Sequence, residues 1–410
     1  MISYQAAQEI VLKTVPILPA EPRLLGELCG YYLAEPLIAT MDLPGFDSSA
    51  MDGYAVKCAD LEQADLDTPV RLLVAADVQA GDATPPPLKS GTAQRVMTGA
   101  QIPKGTETIV IREDTIELGD YVEFRKPACV NMNIRYRGEE FKQGDEILRK
   151  GIRLNAAGVA LVASLGLTEF PVVRRPYVSI INTGSEVVAQ GMPLKPGELY
   201  DSNSWGLRAA LSELRIDPVS VTHVEDSVER TITALRNAAA KSDTIITSGG
   251  VSKGDSDFVK PALLELGATI HFEQVAVKPG RPMCFATIDN PEGSHKTFVF
   301  GCPGNPVSVL VSFHAFVKPA ILKMMGATNV QPFTAMARLT ESLKKKPGRR
   351  ENVRGILHSS GAELTVAPAK GQQSHMLGGL AEANCIIHFP AELTQLQSGE
   401  SVEIEFLTGI

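Results

Sequence analysis

Apolar positions recur at two spacings along the chain, and the change from one to the other divides it. Near the start, Ala6, Ile10 and Thr14 share a face at helical spacing, Ser3 stands where an N-cap belongs, and Pro16 stops the helix. A second helix is expected over residues 23–32. From Val70 to Phe124 the spacing shortens to alternation, in β-rich pieces cut by turn signals at Gly81, Pro85 to Pro87, Gly91, Gly99 and Gly119, which predicts a small β domain. An alanine-rich apolar helix is expected over 155–165, closed by Gly166, and the segment 171–176 between two prolines reads as a boundary.

Residues 176–326 have another rhythm, in which short β-branched runs alternate with helical patterns. Strands are expected at 177–181, 219–224, 243–247, 283–286 and 297–300. Leu207, Leu211 and Leu214 mark one helix, Val228, Ile232, Leu235 and Ala239 a second, Phe258, Ala262 and Leu266 a third, and a long apolar helix runs to Met325. This is the pattern of βαβ units and a mainly parallel sheet. From Ala327 short alternating strands return, as expected of a β barrel or sandwich with 384–389 as its best core strand. In open α/β sheets the carboxyl ends of the strands line the ligand crevice. Three such ends here carry NTGSE (182–186), TSGGVSKGDSD (247–257) and GCPGNP (301–306), so glycines and acids should converge on one rim.

The chemistry is densest in 247–261. Gly249-Gly250 allows a tight turn and leaves backbone N–H groups uncovered by side chains, the usual way to bring amides to a phosphate. Asp255 and Asp257 follow, and carboxylates beside such donors suit a divalent cation held together with substrate phosphate. Either Asp can equally be a helix cap. Asp226, with Glu229 three residues on, has the spacing of a capping box. Lys278-Pro-Gly-Arg281-Pro sets two cations in a proline-stiffened segment, a fork for a dianion such as phosphate, sulfate or molybdate, although such residues usually face solvent. Asp52-Gly53 is a strong hairpin-turn dipeptide, Thr98 lies in a Thr-Gly turn, and Glu139 and Glu140 pair loosely with Arg135 and Arg137 if they are only surface charges.

Composition narrows the function classes. No run of about 18 uncharged apolar residues is present, so no membrane span is expected, and the first residues lack the pattern of an export signal; cytoplasmic residence is the default. A net charge of -8 disfavours nucleic-acid binding, and the basic run 344–350 reads as a solvated hairpin loop. The 6 cysteines form no CxxC pair and are expected as reduced core thiols. The 7 histidines show no metal-ligand spacing, and His223 and His314 are expected to be packed.

LPGFDSSAMDGYAV, RVMTGA, RGEE, NTGSE, SGGVSKGDSDFVK, KPGRP, CPGNPVS and SHMLGGLAEAN fall in the order and approximate spacing of the molybdopterin molybdenumtransferases, which are related to the E domain of gephyrin. The resemblance runs from about residue 3 to the end. It implies a reaction in which adenylylated molybdopterin is hydrolysed with a divalent cation such as Mg²⁺ and molybdate is inserted, giving molybdenum cofactor and AMP. It also implies a multidomain α/β plus β fold: an elongated N-terminal α+β domain (1–44 with 140–175), an inserted β domain (45–139), a three-layer molybdopterin-binding α/β domain (176–326) and a C-terminal β barrel (327–410). The family is a homodimer whose active site mixes both chains, and its partners would be the molybdopterin adenylyltransferase and the recipient molybdoenzymes.

Carried over by resemblance, Asp226 and Asp257 match the acidic pair that holds the cation, Glu186 a strand-end carboxylate, and Asp52, Thr98 and Glu140 contributions of the N-terminal half. Gly249, Gly250, Pro303 and Pro306 match the substrate loops, and Lys278, Arg281, Ser252, Ser308, Arg354 and Ser374 the molybdate pocket. Two departures stand out: Glu140 replaces the family's usual Asp, which leaves its role open, and Arg281 an often-found Lys. The alternatives are a molybdopterin adenylyltransferase, which lacks the two extra β domains, and a non-catalytic dimeric scaffold of the gephyrin E type.

Overall fold

The structure is a computed structural model and describes residues 1–251, 257–289, 296–361 and 363–407. It divides into two compact units, Met1–Ala34 with Lys150–Ala156 and Glu169–Ile410, and Glu35–Arg149 with Ala157–Thr168.

The centre of the first unit is a six-stranded sheet. Strands Ser220–Val224, Val178–Thr183, Thr244–Ser248 and Lys296–Cys302 run parallel, and Cys284–Asp289 and Thr269–Phe272 extend the sheet antiparallel. Every residue of Val178–Thr183 and Thr244–Ser248 is buried, because helices cover both faces. Alternate strand residues feed two cores. Ile180, Ile246 and Phe300 pack with Leu207, Leu211, Phe313 and Phe316 on one side, and Ile181, Ile245 and Val299 with Leu235, Val259 and Leu263 on the other. This is the expected three-layer α/β arrangement.

The C-terminal sheet closes on itself. Arg350–Ser360 pairs with both Glu363–Pro368 and Cys385–Phe389, and Ser401–Phe406 completes the ring through Thr334–Leu339. It is therefore a barrel rather than a sandwich, and Cys385–Phe389 is buried throughout as expected. Val277–Lys278 adds a strand to this sheet, parallel to the start of Arg350–Ser360. The second unit holds a separate six-stranded β sheet that includes Gly53–Val56, Val70–Val78 and Thr92–Val96.

Several local expectations fail where a distant partner decides. Residues 23–32 form no helix: Ala20–Leu24 is a strand paired with Glu169–Val173, followed by one turn at Leu25–Glu27. The same pairing carries the strand through Pro171 to Val173, with irregular chain following from Arg174. Tyr4–Thr14 is a helix capped by Ser3, but it buries Tyr4, Ala7 and Val11, with Ala6, Ile10 and Thr14 half-buried. The basic run is not free solvent loop: Lys345 donates to the Ala391 carbonyl and the Arg350 guanidinium lies 4.3 Å from the Tyr4 ring centre. His223 is exposed, whereas burial pushes His314 down to about 4. All 6 cysteines are free, yet only Cys284, Cys302 and Cys385 are core residues, and Cys129 is exposed. Among the described residues, Pro306–Met324 is the 1 helical run long and apolar enough to cross a membrane, and most of it is buried in the core.

Candidate functional site

Strand register builds the site. Asn182 pairs with Ser248, Ser248 with Cys302 and Thr183 with Val224, so four strand ends stop level with one another. The segments that follow, NTGSE, Gly249-Gly250, Pro303 to Pro306 and Asp226, line one cavity of about 640 Å³. The expected convergence of glycines and acids is thus present.

Glycine is required where these loops touch. Gly249 sits at φ +88°, and a Cβ there would lie 2.7 Å from Thr183 Oγ1 and 2.8 Å from its carbonyl oxygen. The Gly249 N–H is not left for a ligand, however, since it donates to the Cys302 carbonyl. A side chain on Gly184 would strike the Glu186 carboxylate at 2.9 Å.

Asp226 does not cap the helix after it. Ser227 does so, its Oγ accepting from the Arg230 N–H while its hydroxyl donates to Glu229. Asp226 instead trades hydrogen bonds with Ser185, accepting from its N–H and donating its own N–H to the Ser185 Oγ. The true cap lies one residue later than the sequence pattern indicates, which leaves Asp226 on the cavity wall. Asp257 has the opposite outcome. Its carboxylate caps the helix Val259–Glu265 by accepting from the Lys260 N–H, burial raises its pKa, and it is not among the residues lining the cavity. Ser252 and Asp255 fall outside the described residues.

The expected cationic fork does not form. The Arg281 carbonyl accepts from both Val275 and Met283, and its exposed guanidinium reaches Gln274. Lys278, held on its short strand beside Glu351, pairs with that carboxylate at 3.2 Å. Lys278 meets Arg354 instead, since both line a second cavity of about 170 Å³ with Gln372 and Asn352. Arg354 is 1% exposed, its guanidinium donates to the Gly371 and Gln373 carbonyls, and its Nε has no hydrogen-bond partner. Among the described residues no carboxylate pairs with it, and burial alone lowers its pKa. Ser308 is buried in the helix Pro306–Ser312, and the Ser374 carbonyl accepts from Val307 at that helix's start.

In the second unit Asp52 accepts from both the N–H and the hydroxyl of Thr98 at 2.7 Å, and these bonds hold its carboxyl below the usual range. Gly53 is no hairpin turn. It opens the strand Gly53–Val56, where a Cβ would come within 2.1 Å of the Val110 carbonyl oxygen. Glu140 is exposed, and its N–H donates to the Leu43 carbonyl. Arg137 pairs with Asp42 rather than with Glu139 or Glu140, and Glu139 accepts from the Tyr136 N–H.

Sequence reasoning missed Asn203. Its side-chain amide donates to Ser248 Oγ at 2.8 Å and to the Gly304 carbonyl at 2.7 Å, joining two of the cavity's walls. The available signal was the polar triplet Asp201-Ser-Asn203 ahead of a helix, in which Asp201 caps by accepting from Ser204.

Among the described residues no three His, Cys, Asp or Glu side chains gather into a metal site. Asp226, with Glu186 on the same wall, nevertheless suits Mg²⁺, which commonly takes one or two protein carboxylates and the rest of its ligands from phosphate and water.

Level strand ends with glycine turns around a polar cavity mark a doubly wound α/β ligand-binding protein, here carried in one chain with a closed barrel. The family description "MoeA N-terminal region (domain I and II)" matches residues 2–166, "Probable molybdopterin binding domain" residues 179–323, and "MoeA C-terminal region (domain IV)" residues 336–407. The molybdopterin molybdenumtransferase of Haemophilus influenzae is 34% identical over 412 residues, covering 99% of this chain and 98% of that one. Molybdopterin molybdenumtransferase 2 of Mycobacterium tuberculosis is 36% identical over 401 residues, covering 96% and 95%. The crystal structure of a molybdopterin biosynthesis moeA protein from Pyrococcus horikoshii matches with a TM-score of 0.83 at 28% identity, over 99% of this chain and 100% of that one. The chain belongs to the molybdopterin molybdenumtransferase family.

Proposed function

We propose that this chain completes molybdenum cofactor by hydrolysing adenylylated molybdopterin, releasing AMP, and inserting molybdate. The observation that carries the reading is the level register of the four strand ends, which sets Asp226, Glu186 and three glycine-bearing loops around one cavity. Gly249, Gly250, Pro303 and Pro306 form walls against which the pterin adenylate lies. Asp226 would hold Mg²⁺ together with the substrate's phosphates. Asp257 belongs to the cation site only by resemblance, since its carboxylate here accepts from the Lys260 N–H. The cation supplies charge neutralisation at the pyrophosphate. Lys278 and Arg354 supply the oxyanion site: both line one cavity, where Arg354 is buried without an acid and Lys278 would exchange its pairing with Glu351 for the incoming tetrahedral anion, and Ser308 and Ser374 join it by resemblance. Ser252 and Arg281 belong to that site only by resemblance.

The same reading includes the four-part division of the chain and a homodimer in which Asp52, Thr98 and Glu140 act from the second subunit. The substrate would come from a molybdopterin adenylyltransferase and the product pass to molybdoenzymes. Six free thiols are consistent with a reducing cytoplasm. The test is AMP release from adenylylated molybdopterin in the presence of molybdate and Mg²⁺. Asp226→Ala should lower it about 100-fold, the scale of losing one preorganised electrostatic group. A folded variant that releases AMP at the wild-type rate would overturn the assignment.

A further inference from the structure

We infer that Asn203 is a positioning residue for this reaction, a clasp that sets the spacing of the two loops between which the substrate lies; the inference rests on the proposed function. Asn203 is the first residue of the helix Asn203–Glu213 and lines the cavity. Its two N–H groups end on two different loops. One reaches Ser248 Oγ, directly before Gly249-Gly250, and the other the carbonyl of Gly304, inside the Pro303 to Pro306 turn. The loops already touch, because a Cβ on Gly304 would lie 3.4 Å from the Gly249 Cα, and the Gly249 N–H donates to Cys302. A carboxamide bridge across such a contact fixes how far the loops can part.

The amide orientation is forced. Turned the other way, Oδ1 would face the Gly304 carbonyl oxygen, acceptor against acceptor. In the orientation adopted, Oδ1 is buried without a hydrogen-bond partner. Two more of the buried unpartnered polar atoms are its sequence neighbour Ser204 Oγ and, next to its acceptor Ser248, Thr247 Oγ1. An amide that leaves its own acceptor unpaired is a poor choice for stability alone, and such atoms in a native fold call for an explanation. Here the explanation is the spacing of the loops.

The test uses the full-length protein with adenylylated molybdopterin as probe. Asn203→Ala should raise KM for it about tenfold while kcat changes less, since the loops lose their register but the acids remain. Asn203→Asp adds a signature that a merely structural residue would not show. Its ionised carboxylate repels the Gly304 carbonyl, so KM should be high at neutral pH and recover as the pH falls and the carboxyl gains a proton to donate; Asn203→Ala should show no such recovery. Wild-type KM in both variants, or a loss of activity that only follows a lowered melting temperature, would overturn the clasp. If wild-type protein itself releases no AMP, the proposed function has failed. In that case the affinity of each variant for AMP, measured by calorimetry, still tests the clasp: wild-type affinity in Asn203→Ala overturns it, and weakened affinity supports it.

Discussion

The two cavities of the first unit differ in how they are made. The larger one is walled by short stretches that follow strand ends, and its acids and glycines arrive together because neighbouring parallel strands end at one level. The smaller one is assembled from residues far apart in the chain. Lys278 comes from a two-residue strand, and Arg354 from the middle of a barrel strand, where it is all but covered. The first is an acidic and peptide-rich surface suited to phosphates with a cation, the second a basic pocket suited to a bare oxyanion. The second cavity is not free of acid, since Glu351 lines it and pairs with Lys278, but among the described residues Arg354 has no carboxylate partner.

If this division of labour holds, the largest effect should follow Arg354→Met. Charge-assisted hydrogen bonds are worth about 1.5–3 kcal/mol, so KM for molybdate should rise about 10- to 100-fold, while affinity for the adenylylated pterin stays as it was. An equal loss for both ligands would break the comparison. Because the lost guanidinium was buried and incompletely bonded, thermal stability should change little. Lys278→Ala comes next. Lys278 is largely exposed and Glu351 competes for it, so KM for molybdate should rise only several-fold, and that rise should shrink in high salt.

The smallest effect sharpens the role of Asp257. Its pKa is raised above 3.8 by burial, so ionising it costs the folded state, and stability is lost as the pH climbs from 3.8 through the raised value. Asn can accept the same cap bond from Lys260 without that charge. Asp257→Asn should therefore melt at least as high as wild type above this window and no differently below it, as followed by calorimetry across pH. A variant that melts lower at neutral pH would show that the carboxylate already has a charged partner.

Much of the first cavity was legible in the sequence, for a local reason. Strands read as β-branched runs, and the turn after a buried parallel strand must be made by glycine, proline and small polar residues, so NTGSE, TSGG and GCPGNP identify themselves. The second cavity was not legible. An Arg in an alternating strand looks like any solvent-facing charge, and only the resemblance singled out Arg354. The fork drawn between Lys278 and Arg281 assumed that three residues of separation imply one surface, whereas the turn held by the Arg281 carbonyl sends the two side chains to different places.

The amino-acid sequence by itself determined the alternation of strands and helices over 176–326, the two kinds of β region, the strand ends on which the chemistry falls and the family. These follow from periodicity, turn chemistry and ordered motifs, which act over a few residues at a time. Tertiary structure alone decided which carboxylate was free and which was a cap, that residues 23–32 pair as a strand and turn rather than coil into a helix, that Gly53 serves a close backbone approach, and that Asn203 joins two loops. The caps are settled within one turn, by which side chain takes the free N–H three residues on, whereas the other outcomes depend on a partner distant in the chain, and a hydrogen bond or steric contact with such a partner outweighs the small local preferences that a sequence displays.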